Sequence, residues 1–138
     1  CRDWVAALQT AVEEAAAPPI FVAHSLGCLL VAHWALRAAR PIGGALLVVP
    51  PDPDGIFFPP EAVGFSPVPF QRLPFPSILV ASDDDQFSEP GFAQRCASAW
   101  GSRLVMVGPL GHINADSGVG EWPFGFSLLE ELIALLGA

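Results

Sequence analysis

Three polar stretches carry side chains that together can perform acyl transfer: His24-Ser25-Leu26-Gly27, Asp83-Asp84-Asp85 and Gly111-His112. A serine hydroxyl is a weak nucleophile unless a base takes its proton during attack. Histidine can do this near neutral pH and later protonate the leaving group. A carboxylate must hold the imidazole in the correct tautomer and stabilise the imidazolium. Ser25, His112 and one of the three aspartates would supply these parts. Asp83 lies closest to the preceding apolar run, and Asp85 three residues past Ser82. Spacing alone leaves the choice of acid open, because Asp83 and Asp84 could instead accept backbone N–H bonds in a turn.

The elements around these residues must position them. Ile20-Phe21-Val22-Ala23 is a β-prone run that leads into Ser25, and an apolar helical run, Leu26 to Ala39, follows at once. Strand, tight turn and helix form the context of a Gly-x-Ser-x-Gly nucleophile elbow, with Ala23 in place of the first glycine. Small residues are expected two places either side of the serine, since bulkier ones would clash in so tight a turn. The elbow would aim the Leu26 N–H at a developing oxyanion, where the helix N-terminus adds favourable potential. His24, the variable residue of the elbow, is expected to shape the turn.

Elsewhere, helix and strand patterns alternate. Asp3 is the expected cap of a first helix running to about Ala16, which Pro18-Pro19 stop. Gly44 to Val49 is continuously apolar, as in a parallel strand buried on both faces. Residues 50–76 hold nine prolines, which forbid regular structure of any length and predict a stiffened loop. A strand is expected at Ser77 to Ser82, a helix from Glu89 to Trp100 capped by Ser88, and a strand at Arg103 to Val107. A last helix would bury Phe126, Leu129, Leu132, Ile133 and Leu136 on one face. The order implies an α/β layered fold, in which ligand sites lie beyond the carboxyl ends of the strands. Ser25, the aspartate run and His112 each follow such an end.

At 138 residues, 52% hydrophobic and 14% charged, the chain reads as a single domain over 1–138 with a sizeable core. The net charge is −8 and no residue is lysine, so a basic surface for nucleic acid or an anionic membrane is not expected. No apolar run reaches the ~18–20 residues of a membrane span. Cys1, Cys28 and Cys96 are odd in number and lack metal-like spacing, as expected of reduced thiols in a cytoplasmic protein. His33 lies on the apolar helix and reads as a core histidine. The scattered histidines predict no metal site, and no cofactor is expected.

The order serine, aspartate, histidine is that of the α/β-hydrolases. Ala23-His24-Ser25-Leu26-Gly27-Cys28, Ala81-Ser82-Asp83-Asp84-Asp85-Gln86-Phe87 and Gly111-His112-Ile113-Asn114-Ala115-Asp116-Ser117-Gly118 together resemble the small serine hydrolases of the retinoblastoma-binding-protein type. The last of these runs, followed by Trp122-Pro123, is similar to bacterial members. The resemblance implies a three-layer sandwich with a mainly parallel sheet of about four strands in this chain. The family carries Ser-x-x-Asp-Pro-Phe/Tyr, in which the aspartate before proline is the acid. That residue corresponds to Asp85, with Gln86 in place of proline, and Asp84 is the alternative. Members also begin with a strand, a loop, a helix and a second strand ahead of the helix at Asp3. The resemblance therefore implies that this N-terminal part, whose loop supplies the second oxyanion N–H, lies outside these 138 residues, which are expected to be part of a longer protein.

The function expected is hydrolysis of an ester, thioester or amide of a small-molecule or peptide substrate, through an acyl-enzyme on Ser25. Two other readings are a peptidase or aminopeptidase-like activity, and an idle hydrolase fold that binds proteins. Phe57, Phe58 and Phe65 in the proline-rich loop are candidates for a substrate wall, the alternative being a cap over the sheet. The sequence leaves the oligomeric state open.

Overall fold

In the computed structural model, which describes residues 1–137, four strands form one parallel sheet. They are β1 (Ile20–His24), β2 (Gly44–Val48), β3 (Ser77–Ala81) and β4 (Arg103–Met106), in that spatial order. Register pairs His24 with Val48, Val48 with Val80 and Ala81 with Met106. The carboxyl ends are thus level, and the loops leaving β1, β3 and β4 emerge on one edge of the sheet.

Helices cover both faces. On one side α1 (Arg2–Glu14), α2 (Leu26–Ala35) and α3 (Pro90–Trp100) bury Leu29, Trp34, Cys96 and Trp100 against Ala45, Leu47, Leu79 and Ala81. On the other, α4 (Pro123–Leu136) packs Leu128 and Leu132 against Leu46, Val48, Ile78 and Val80. Successive residues of a strand point to opposite faces, so β2 and β3 feed both cores and are buried at every position. This is the physical origin of their unbroken apolar runs. β1 pairs with β2 alone and leaves Val22 62% exposed. Among the described residues no helix is long and apolar enough to cross a membrane.

Several boundaries differ from the sequence-based expectation. The first helix begins at Arg2 with Asp3 inside its first turn, so Asp3 is not its cap. α2 ends at Ala35, where Leu36 and Arg37 donate to the His33 and Trp34 carbonyls in a tightened last turn. Glu89 precedes α3, and Pro90 takes the first turn, where its missing N–H costs nothing. Ser88 is not the cap; its Oγ is buried with no hydrogen-bond partner among the described residues. A short 3₁₀ turn, Ala115–Ser117, forms where Asn114 and Ser117 cap one another.

The last helix turns a different face to the sheet. Leu132 is buried and Leu129 packs beside it as expected, but Phe126, Ile133 and Leu136 are exposed, and Gly125 and Leu128 are buried in their place. The Trp122 ring lies so close to Gly125 that any Cβ there would overlap it. A glycine inside the helix is what lets the indole pack there.

The proline-rich segment has neither helix nor strand, and its two halves differ. Leu73 N–H donates to the Trp100 carbonyl at 3.0 Å, and Trp100 Nε1 donates to the Pro69 carbonyl at 2.8 Å. Phe65, Leu73 and Phe75 enter the helical core, with the Phe65 ring against Trp4 and His33. This half caps the sheet. His33 Nε2 donates to the Phe65 carbonyl at 2.9 Å, as a satisfied core histidine does. Cys28 and Cys96 are free and buried. Burial pushes the Cys28 thiol up strongly and the Cys96 thiol up to about 12, which keeps both as unreactive thiols.

Candidate active site

Where β1 ends, Ser25 turns the chain into α2 with φ 56° and ψ −122°, a backbone conformation L-residues rarely adopt. Regular structure on both sides holds it there. Its N–H donates to the Val48 carbonyl at 2.8 Å, and its own carbonyl accepts from Cys28 N–H at 2.9 Å. Leu26 follows as the first residue of α2, where a helical N–H has no acceptor in a preceding turn. A Cβ placed on Gly27 would stand 3.5 Å from the Ala23 Cβ, an ordinary contact. The two small residues do face each other across the turn, with room for a methyl group on each.

His112 arrives from the loop that leaves β4. Its Nε2 is 2.7 Å from Ser25 Oγ, and its Nδ1 is 3.0 Å from each carboxylate oxygen of Asp85. A carboxylate only accepts, so Nδ1 carries the hydrogen and Nε2 offers its lone pair to the serine O–H. The Asp85 side chain is 1% exposed and that of His112 11%, so water competes little for these bonds. Asp85 also accepts the Phe87 N–H at 2.9 Å, which orients the carboxylate. Ser25, His112 and Asp85 can therefore pass a proton in the direction that serine attack requires.

The neighbouring aspartates do other work. Asp84 Oδ1 accepts the Gly111 N–H at 2.7 Å and lies 3.0 Å from Ser82 Oγ. The Gly111 N–H, and then the Ser82 hydroxyl, hold the Asp84 carboxyl below the usual aspartate value of 3.8. Ser82 Oγ also accepts the Leu110 N–H at 3.0 Å, and its one hydrogen is shared between Asp84 and the Gly108 carbonyl, each 3.0 Å away. Asp83 contributes its backbone N–H, which donates to Gly108 at 2.9 Å. The aspartate turn thus grips the histidine loop, and only Asp85 reaches the imidazole.

Of the three candidate wall residues, the structure brings one near the histidine. The Phe57 ring meets Phe87 edge-on at 6.4 Å, and Phe87 lies 4.6 Å from the His112 ring. Phe57 is 54% exposed beside Ile56, which is almost fully so. Phe58 is half-buried against the helical core, and Phe65 lies within it, away from the serine. Phe87 stands at the aromatic position of the Ser-x-x-Asp-Pro-Phe/Tyr pattern, but its contact with the His112 ring is made only by the fold. Two recesses flank the histidine loop. One of about 680 Å³ is bordered by Val22, His24, Ile113 and Trp122, and one of about 470 Å³ by Asp84, Gln86, His112 and Asp116. No arginine lines either. No group of three or more His, Cys, Asp or Glu is placed to hold a metal among the described residues.

Known structures share this arrangement of elements. A YdeN-like hydrolase from Pectobacterium atrosepticum is 32% identical with a TM-score of 0.85, over 98% of this chain and 70% of that one. The ydeN gene product of Bacillus subtilis is 20% identical with a TM-score of 0.72, over 96% and 75%. A monoacylglycerol lipase of Paleococcus ferrophilus is 15% identical with a TM-score of 0.74, over 96% and 75%, and shares the fold. No curated protein matches the chain. The serine hydrolase family matches residues 1–131, a span that contains the elbow, the aspartate turn and the histidine loop, and the chain belongs to that family.

Proposed function

We propose that the protein hydrolyses an ester, thioester or amide by forming an acyl-enzyme on Ser25. The observation that carries this reading is the unbroken line of hydrogen bonds from Ser25 Oγ through the His112 ring to Asp85. In the first half-reaction His112 Nε2 takes the serine proton as Oγ attacks the carbonyl carbon, and the Leu26 N–H faces the resulting oxyanion. His112 then gives that proton to the leaving group. In the second, water attacks the acyl carbon with His112 again as base, and Ser25 is restored. Asp85 stays ionised and holds the ring.

The substrate we propose is small, or a peptide, and carries no negative charge near the scissile bond. The chain carries a net charge of −8, which works against an anionic acyl or leaving group. Phe57 and Phe87 offer an aromatic wall to an apolar acyl chain. The test is labelling with a fluorophosphonate probe. The wild-type protein labels and Ser25→Ala does not; a wild-type protein inert to the probe sinks the proposal. Neutral p-nitrophenyl esters compared with aminoacyl amides then separate esterase from peptidase activity.

A further inference from the structure

The side chain of His24 does not bond within its own turn. Its Nε2 is 2.9 Å from the main-chain carbonyl of His112, a residue 88 positions away, and the two rings are 5.1 Å apart at 59°. A carbonyl only accepts, so His24 Nε2 must carry a hydrogen and donate it. That carbonyl belongs to the peptide joining His112 to Ile113. The joint is unusual, because Ile113 is β-branched yet holds φ 46°, in the left-handed region that favours glycine. The Ile113 side chain is anchored in the α4 core, and its N–H donates to Leu110 at 3.2 Å. His24 supplies the remaining restraint, on the other end of the same peptide plane.

We infer that His24 is a positioning residue for the histidine of this site: its Nε2–H fixes the His112–Ile113 peptide, and so the direction of the His112 ring toward Ser25. The inference rests on the reading of His112 as the base. The placement is efficient, since His24 adjoins Ser25 in sequence and stands rigidly at the end of β1. One short segment thereby holds the nucleophile and, through a side chain, the backbone of its base. A misplacement of ~1 Å in such a constellation costs about 10²-fold in rate. The bond itself is solvent-exposed, so its loss should cost activity more than folding.

The test compares two substitutions of similar length, one with an N–H donor and one without. His24→Gln should keep kcat on a neutral p-nitrophenyl ester within about threefold of wild type. His24→Met should lower kcat by about 10–100-fold, with KM nearly unchanged. The low-field proton signal of His112 Nδ1–H should persist in the Gln variant and shift or broaden in the Met variant. Gln and Met variants with equal kcat, whether both high or both low, would overturn the role, because the donor would then be irrelevant. A wild-type protein inert to the fluorophosphonate probe would instead overturn the hydrolase reading itself, and this role with it.

Discussion

Ser25 and His112 meet at 2.7 Å but are held there by different means. The elbow is backbone structure: the β1–β2 ladder leads into it, Ser25 N–H bonds Val48, and α2 starts at the next residue. The histidine loop is held largely by side chains, with Ser82 on Gly108 and Leu110, Asp84 on Gly111, and His24 on His112 itself. A backbone scaffold tolerates substitution so long as the fold forms. A side-chain scaffold can be dismantled one residue at a time. The position of the serine should therefore be robust, and that of the histidine sensitive to residues that never touch substrate.

The largest effect should separate two adjacent carboxylates. Asp85→Asn should lower kcat by about 10⁴-fold, because the amide permits the wrong imidazole tautomer. Asp84→Asn should leave most of the activity, since the amide oxygen still accepts the Gly111 N–H. Equal losses in steady-state assays of the two would erase the distinction between the acid and the residue that grips the loop.

Leu132→Ala comes next and acts through the core beneath the histidine loop. Leu132 is fully buried and packs in the same cluster as Ile113. Its truncation should lower stability by about 2–5 kcal/mol in denaturant unfolding. Fluorophosphonate labelling by the folded fraction should slow only modestly. Undiminished stability would mean that α4 is not the support described above.

A smaller effect concerns pH. Asp84 is held below its ordinary value of 3.8, so the ionised form is the one that the fold favours. The charge-assisted part of its grip on the loop is therefore complete above pH 3.8 and is lost as pH falls through the lower folded value, while a neutral carboxyl oxygen, like the Asn amide oxygen, still accepts the Gly111 N–H. The Gly111 amide resonance should show a step that follows the Asp84 carboxylate, with its midpoint below 3.8. A midpoint at or above 3.8 would show that the carboxylate does not hold the loop. The smallest effect is expected at the elbow: Gly27→Ala adds a methyl group in ordinary contact with Ala23 and should change kcat by less than about twofold. A large loss would show that the elbow is less tolerant than its backbone geometry implies.

The strand, turn and helix around Ser25 were legible because adjacent residues form them. The continuous apolar runs of β2 and β3 likewise announced burial on both faces. Other features were hidden for identifiable reasons. The close packing of the Trp122 indole on Gly125 joins two residues whose contact no hydrophobic period announces. The proline-rich loop divides into a capping half and an exposed aromatic half only because Trp100 ties down residues 69–73. The bond from His24 spans 88 residues, beyond any local pattern.

The sequence by itself determined the types and order of the candidate site side chains and the elbow that carries one of them. It did so because propensity, turn chemistry and hydrophobic period act over a few residues and leave local traces. Among three consecutive aspartates those local rules are nearly degenerate, and motif likeness could only favour Asp85. Tertiary structure decided between them: level strand ends bring the β4 loop over the β3 turn, so Asp85 faces the imidazole while Asp84 faces a backbone N–H.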